Sequence, residues 1–183
     1  MTAPGPGRPL VVLMGPPASG KTVVGQMLSG RLGAAFVDTD ADIAAAAGKP
    51  VGDIFVDDGE PAFRELERAA AERALAAGGA VVALGSGAVV DPAVQALLRG
   101  QAVAYLSAGF PAIARRLGLD RPRVILPGNP RGRLRTMLEE RRPVYERLAA
   151  FTVPADDLAP EEITEEIAAW LGEHGTGPDG AAE

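Results

Sequence analysis

The 183-residue chain contains no cysteine, so neither a disulfide framework nor a thiolate metal site is open to it. Long apolar runs are also missing. The longest fall far short of the roughly 20 residues that a membrane-spanning helix needs. Positions 1–9 (MTAPGPGRP) have no signal-peptide hydrophobic region and read as a flexible leader, so a cytoplasmic location is expected. Histidine occurs once, as His174, in a C-terminal stretch (172–183) that reads as a disordered tail, and no role is assigned to it. Lysine is nearly absent. Only Lys21 and Lys49 stand beside 16 arginines, ten of which lie between Arg115 and Arg147. The whole chain nevertheless carries a net charge of −6. An acidic protein with one arginine-rich segment suggests a local anion site. The net charge and the lack of aromatics interleaved with those arginines argue against nucleic-acid binding.

What the chain does have begins with LVVLMGPPASGKTVVGQML, Leu10 to Leu28. Leu10 to Met14 reads as a buried strand. Gly15-Pro16-Pro17-Ala18-Ser19-Gly20-Lys21-Thr22 then fits G-x-x-x-x-G-K-[ST], and Val23, Val24, Met27, Leu28 and Leu32 follow at helical spacing. Strand, glycine-bounded loop and helix is the context in which backbone N–H groups and a helix N-terminus cradle polyphosphate. Lys21 then reaches the β- and γ-phosphates, and the Thr22 hydroxyl is placed to ligate Mg²⁺. The nucleotide contacts expected here are Gly15, Ala18, Ser19, Gly20, Lys21, Thr22 and Val23.

The remainder alternates strands and helices. Gly33 reads as a C-cap, Ala34 to Val37 as a strand, and Asp38-Thr39-Asp40 as its carboxyl end, with Thr39 or Asp40 able to cap a helix over 41–47. Asp57 to Pro61 reads as a turn before a helix over 62–77, with Phe63, Leu66, Ala70 and Leu75 as its buried stripe. Arg64 and Glu67 share a face at i,i+3, as a surface pair worth well under ~1 kcal/mol. Ala80 to Leu84 is a central strand ending in Gly85-Ser86-Gly87, where glycines let backbone approach a ligand. Asp91 caps the next helix. Further strands are expected at 102–106 and 151–153, and further helices at 110–117, 134–148 (kinked or restarted at Pro143) and 160–171. Positions 118–131 form a loop rich in proline and glycine. The expected fold is therefore α/β: a three-layer, doubly wound, five-stranded parallel sheet.

Three strand ends thus converge on one crevice: a phosphate loop, an Asp-x-Asp and a Gly-Ser-Gly. Arg64 and the arginines of a mobile loop join them. A triphosphate with Mg²⁺, a carboxylate able to take a proton and spare arginines are the equipment for moving a phosphoryl group from ATP to a hydroxyl of a small acid. GPPASGKT, VDTDADI, VGDIFVDDGEPAFRELE, GSGAVV, the DRP of the loop and EERRPVYE together resemble the shikimate kinase family, from the phosphate loop to the last helix. The second and third segments are the most specific, since adenylate and gluconate kinases share the phosphate loop without them.

The resemblance implies a single domain of P-loop kinase type over 10–171, with an acceptor-binding segment over 38–67 and a mobile lid over 118–131. It also implies ATP and shikimate as substrates, Mg²⁺ as cofactor, a step toward aromatic amino acids, and a monomer. Carried over by residue, Asp38 holds Mg²⁺ through water and Asp40 is the base on the acceptor hydroxyl. Arg64 and Arg141 grip the acceptor carboxylate, Phe55 and Phe63 wall its pocket, Gly85, Ser86 and Gly87 line it, and Arg121 closes the lid over the phosphates. The chain departs from the pattern at Ser86, where the family has a glycine, and at Arg123-Val124 after the lid proline. It also lacks the arginine that some members carry within the equivalent of 156–160, beside the adenine. A divergent kinase for a related cyclic acid or cyclitol, and a non-catalytic nucleotide-binding module, are the alternative readings.

Overall fold

A computed structural model describes residues 8–119 and 129–174, so Arg121 and most of the lid lie outside the described residues. Within them the order is β1 (Val11–Met14), α1 (Lys21–Leu32), β2 (Ala35–Asp38), α2 (Thr39–Ala47), α3 (Val51–Asp57), α4 (Gly59–Ala76) and β3 (Ala80–Ala83). A 3₁₀ turn (Ala88–Val90), α5 (Pro92–Leu98), β4 (Val103–Ser107), α6 (Phe110–Arg116), α7 (Pro130–Leu148), β5 (Phe151–Pro154) and α8 (Pro160–His174) complete it. The five strands form one parallel sheet in the order β2-β3-β1-β4-β5.

β1 is buried on both faces, which is why its sequence is an unbroken apolar run. Its side chains alternate between two cores. Val11 and Leu13 pack with Val24 and Leu28 of α1 and Ile163 and Ile167 of α8. Val12 and Met14 pack with Ala74 and Leu75 of α4 and Val94 and Leu98 of α5. β1 is therefore followed by a helix on one face and its neighbour β3 by a helix on the other. The chain leaves these two carboxyl ends in opposite directions, and a crevice opens between them. A third, smaller core of Ile43, Ile54, Phe63 and Ala70 holds α2 and α3 against α4. Among the described residues no helix is long and apolar enough to cross a membrane.

Several boundaries differ from the sequence reading, each for a local reason. Asp38, rather than Thr39 or Asp40, caps α2, because its carboxylate accepts the backbone N–H groups of Asp40 and Ala41. The expected turn over 57–61 shrinks to Asp58 alone between α3 and α4. Leu66, expected in the buried stripe, is exposed, while Glu67 is buried at 3 %. α7 runs unbroken through Pro143. Pro143 and Glu139, whose carbonyl loses its helical donor, both face solvent, so water can take the missing place. α8 continues three residues past its expected end to His174, whose ring packs near Trp170.

Asp91 behaves as its sequence position suggests. Its carboxylate accepts the Ala93 N–H at 2.8 Å at the start of α5 and the Arg68 Nε–H at 2.7 Å. Asp91→Ala is expected to lower stability by about 1 kcal/mol, and Asp91→Asn by much less, since asparagine caps nearly as well. Urea unfolding of the two variants checks this. Equal losses would show that the Arg68 ion pair, rather than the cap, carries the contribution.

Candidate active site

The phosphate loop, positions 15–20, is shaped by backbone conformations that few residues tolerate. Gly15 has φ +154°, Ala18 +57° and Gly20 +100°. A Cβ on Gly15 would lie 2.6 Å from the Leu106 carbonyl oxygen of β4, so glycine is required there for space as well as conformation. The N-terminus of α1 has no side-chain cap and no acidic residue in its first turn. Its free N–H groups and positive dipole end are left for an anion. Lys21 Nζ is parked on the carbonyls of Gly15 (3.0 Å) and Pro16 (2.8 Å). The Ser19 hydroxyl is buried with no partner among the described residues. A loop with an orphan hydroxyl, an ammonium resting on its own backbone and an uncapped helix end fits polyphosphate.

Beside it, Thr22 Oγ1 donates to Asp38 Oδ2 at 2.7 Å, while Asp38 Oδ1 takes the α2 N–H groups. No group of three or more His, Asp or Glu side chains able to hold a metal occurs among the described residues. One carboxylate and one hydroxyl, both hard oxygen donors, suit a Mg²⁺ ion that keeps its waters and completes its shell with phosphate oxygens. Asp40 follows in the first turn of α2. Lys21, Thr22, Val23, Asp38, Asp40 and Ser86 all line one cavity of about 290 Å³.

The charges in this cavity perturb one another. Burial pushes the Lys21 ammonium down to about 8, against the pull of Asp40 and Asp38, which favour its charge. Loss of water around the Asp40 carboxyl raises its pKa, with Lys21 opposing and Asp38 adding to the rise. A carboxylate raised in this way is a better proton acceptor than an ordinary aspartate.

The predicted acceptor side is built on α4. Arg64 donates to Glu67 Oε2 at 2.6 Å and to Glu60 Oε1 at 3.0 Å. Its guanidinium carbon lies 5.7 Å from the centroid of the Phe55 ring and 5.6 Å from that of Phe63, and the two rings are 4.3 Å apart. Two carboxylates and two aromatic rings therefore hold this arginine. The pair with Glu67 is not the surface contact that its spacing suggested. Glu67 is buried, which raises its carboxyl pKa while Arg64 pulls it back. Removing one partner of such a pair strands the other, so the pair matters more than an exposed one would.

Both sides meet at Gly85-Ser86-Gly87. A Cβ on Gly85 would lie 2.6 Å from Asp40 Oδ1, and one on Gly87 would fall on Arg64 Nη1 and lie 2.8 Å from Glu67 Oε1. The glycines expected to admit a ligand also admit the protein's own functional groups. Thr39 Oγ1 accepts the Gly85 N–H at 2.8 Å and ties the ends of β2 and β3 together. Ser86 keeps a negative φ, so a non-glycine residue is accommodated there without strain. Its carbonyl accepts from Tyr145 OH at 2.7 Å and Arg141 Nη1 at 3.1 Å.

Three residues escaped the sequence reading, wholly or in part. Glu67 was paired correctly but not placed in the interior. Tyr145 lies in a quoted motif without a role. Arg116 of α6 donates to the carbonyls of Ala18, Ala155 and Asp156, joining the phosphate loop to the loop after β5. Arg116 thus reaches that loop from 40 residues earlier in the chain. Position alone carried no signal for it.

A profile of the shikimate kinase family matches residues 17–172. The shikimate kinase of Thermobifida fusca (strain YX) is 51 % identical over 164 residues, spanning 90 % of this chain and 95 % of its own. That of Streptomyces coelicolor is 47 % identical over 157 residues, spanning 86 % and 92 %. Among solved structures, a shikimate kinase from Acinetobacter baumannii in complex with shikimate superposes with a TM-score of 0.81 at 28 % identity, covering 91 % of this chain and 94 % of that one. A gluconokinase from Sinorhizobium meliloti 1021 reaches only 0.54 at 22 % identity, over 93 % and 94 %, a likeness of fold alone.

The depressed Lys21 pKa has a measurable consequence. Only the ammonium form attracts phosphate oxygens, and it is lost as pH rises through about 8. Affinity of the free protein for ATP is expected to be level below that pH and to fall above it, by about tenfold per pH unit at the steepest. Calorimetric titrations at about pH 7 and about pH 9 check this. An unchanged affinity would show that the Lys21 charge does not hold the phosphates.

Proposed function

Because this chain belongs to the shikimate kinase family, we propose that its crevice moves the γ-phosphoryl group of ATP to the 3-hydroxyl of shikimate, giving 3-phosphoshikimate and ADP. The observation that carries this reading is the meeting of donor and acceptor equipment at one edge. Asp40 and the Arg64–Glu67 pair both press on Gly85-Ser86-Gly87, and Asp40 and Ser86 share the cavity with Lys21.

The phosphate loop, Gly15 and Ala18 to Val23, binds the nucleotide, and Arg116 braces it against the loop after β5. Lys21 neutralises charge on the transferring phosphoryl group. Thr22 and, through water, Asp38 would hold Mg²⁺, which would supply further neutralisation when bound. Asp40 accepts the proton of the attacking hydroxyl as the new O–P bond forms. The bond between the γ-phosphorus and the bridging oxygen breaks, ADP leaves, and Asp40 returns its proton to solvent. Arg64 and Arg141 offer planar forks of donors to the shikimate carboxylate, which lysine could not match. Phe55 and Phe63 form apolar walls, and Gly85 to Gly87 the floor. Arg121 is assigned to the lid, whose closure excludes water as a competing acceptor. We read the protein as a cytoplasmic monomer.

ADP release measured with shikimate, gluconate and cyclitols in parallel tests the assignment. Shikimate is expected to be turned over fastest. A faster cyclitol would favour a divergent kinase, and ATP binding without acceptor-dependent ADP release a non-catalytic module. Asp40→Asn is expected to lower kcat by about 10²-fold or more with ATP binding retained. A near-normal rate would remove Asp40 as the base. For Arg64 the informative change is Arg64→Lys, because alanine would leave Glu67 buried without a counter-charge. Its KM for shikimate should rise about tenfold, the cost of one bidentate contact, with KM for ATP unchanged. Equal effects on both would make Arg64 a purely structural partner of Glu67.

A further inference from the structure

The carbonyl of Ser86 has two lone pairs and two donors, both from α7. Arg141 and Tyr145 are four residues apart on that helix, so their side chains leave the same face and converge on one oxygen. The Tyr145 contact is the shorter, at 2.7 Å against 3.1 Å. Tyr145 is itself fixed. It is 1 % exposed and stacks on Tyr105 of β4, with ring centroids 5.1 Å apart and planes 18° apart. Burial raises its phenol pKa, so the hydroxyl stays a donor across the working pH range.

We propose that Tyr145 is a positioning residue for the acceptor: by holding the Ser86 carbonyl with the shorter bond it limits Arg141 to one long contact there, through Nη1, and leaves the other N–H groups of the guanidinium to face the acceptor carboxylate. This rests on the assignment of Arg141 to that carboxylate. Without the Tyr145 hydroxyl, the half-buried carbonyl has Arg141 as its remaining donor, and the existing 3.1 Å contact tightens at the expense of the substrate. The same two bonds fix the backbone of Ser86, which lines the cavity. Of the two bonds that join the edge after β3 to α7, the shorter comes from a buried, stacked ring and not from the arginine assigned to the substrate.

Tyr145→Phe removes the hydroxyl and keeps the stacking on Tyr105. KM for shikimate is expected to rise about five- to tenfold, as loss of one net hydrogen bond would produce. KM for ATP and kcat should stay within about twofold, because the phosphate loop is untouched. A purely structural tyrosine would move both KM values or neither, and either result overturns the proposal. In an Arg141→Ala background the tyrosine change should add less than about twofold to KM for shikimate, since its effect runs through Arg141. Multiplying effects would overturn it as well. Should the wild-type protein prefer another carboxylic acid, the function reading falls while the same KM split, measured with that acid, still decides the role of Tyr145. A preferred acceptor without a carboxylate, or no turnover at all, overturns both.

Discussion

Two missing side chains, those of Gly85 and Gly87, are the constraint on which the crevice depends. With a Cβ on either, Asp40 or the Arg64–Glu67 pair would have to withdraw from the edge after β3. The proposed base and the proposed carboxylate clamp come from different helices, α2 and α4. They reach the same few ångströms only because the backbone between them is bare. Ser86 fits in the middle because it lines the cavity and its backbone remains in an ordinary conformation. Its carbonyl takes two hydrogen bonds that fasten α7 to this edge.

Around that edge the protein keeps charges that water would otherwise screen. Lys21 is depressed and Asp40 raised chiefly by burial, so both stand nearer to neutrality than they would in solvent. In the proposed function a triphosphate beside Lys21 would favour its charged form further. Arg64 follows the opposite design. Glu67 and Glu60 keep it charged, and two aromatic rings fix its plane before any ligand arrives.

The sheet order explains why these parts face one another. The chain goes from β1 outward to β2, returns to β3 beside β1, and then crosses to β4 and β5 on the far side. β1 and β3 send their following helices to opposite faces, so their carboxyl ends border an open crevice. The phosphate loop and the glycine edge occupy those two ends. The ion pair on α4 is brought to the same place by the small third core of Ile43, Ile54, Phe63 and Ala70.

By itself the sequence determined the parallel α/β sheet, the phosphate loop and the family. Apolar runs of strand length, the G-x-x-x-x-G-K-T spacing and the Asp-x-Asp are local patterns, and each carries its own physical reason. Burial and long-range pairing were decided only by the tertiary structure. Arg64 and Glu67 were legible as an i,i+3 pair, but a spacing does not tell a solvated face from one pressed against another strand's end. Capping went to Asp38 because Thr22 and the α2 N–H groups surround its carboxylate once β2 lies beside the loop. Arg116 meets Ala18 across 98 positions, and Tyr145 meets Ser86 across 59. Such contacts exist only when the sheet has closed the distance, and nothing in either residue's neighbourhood along the chain encodes them.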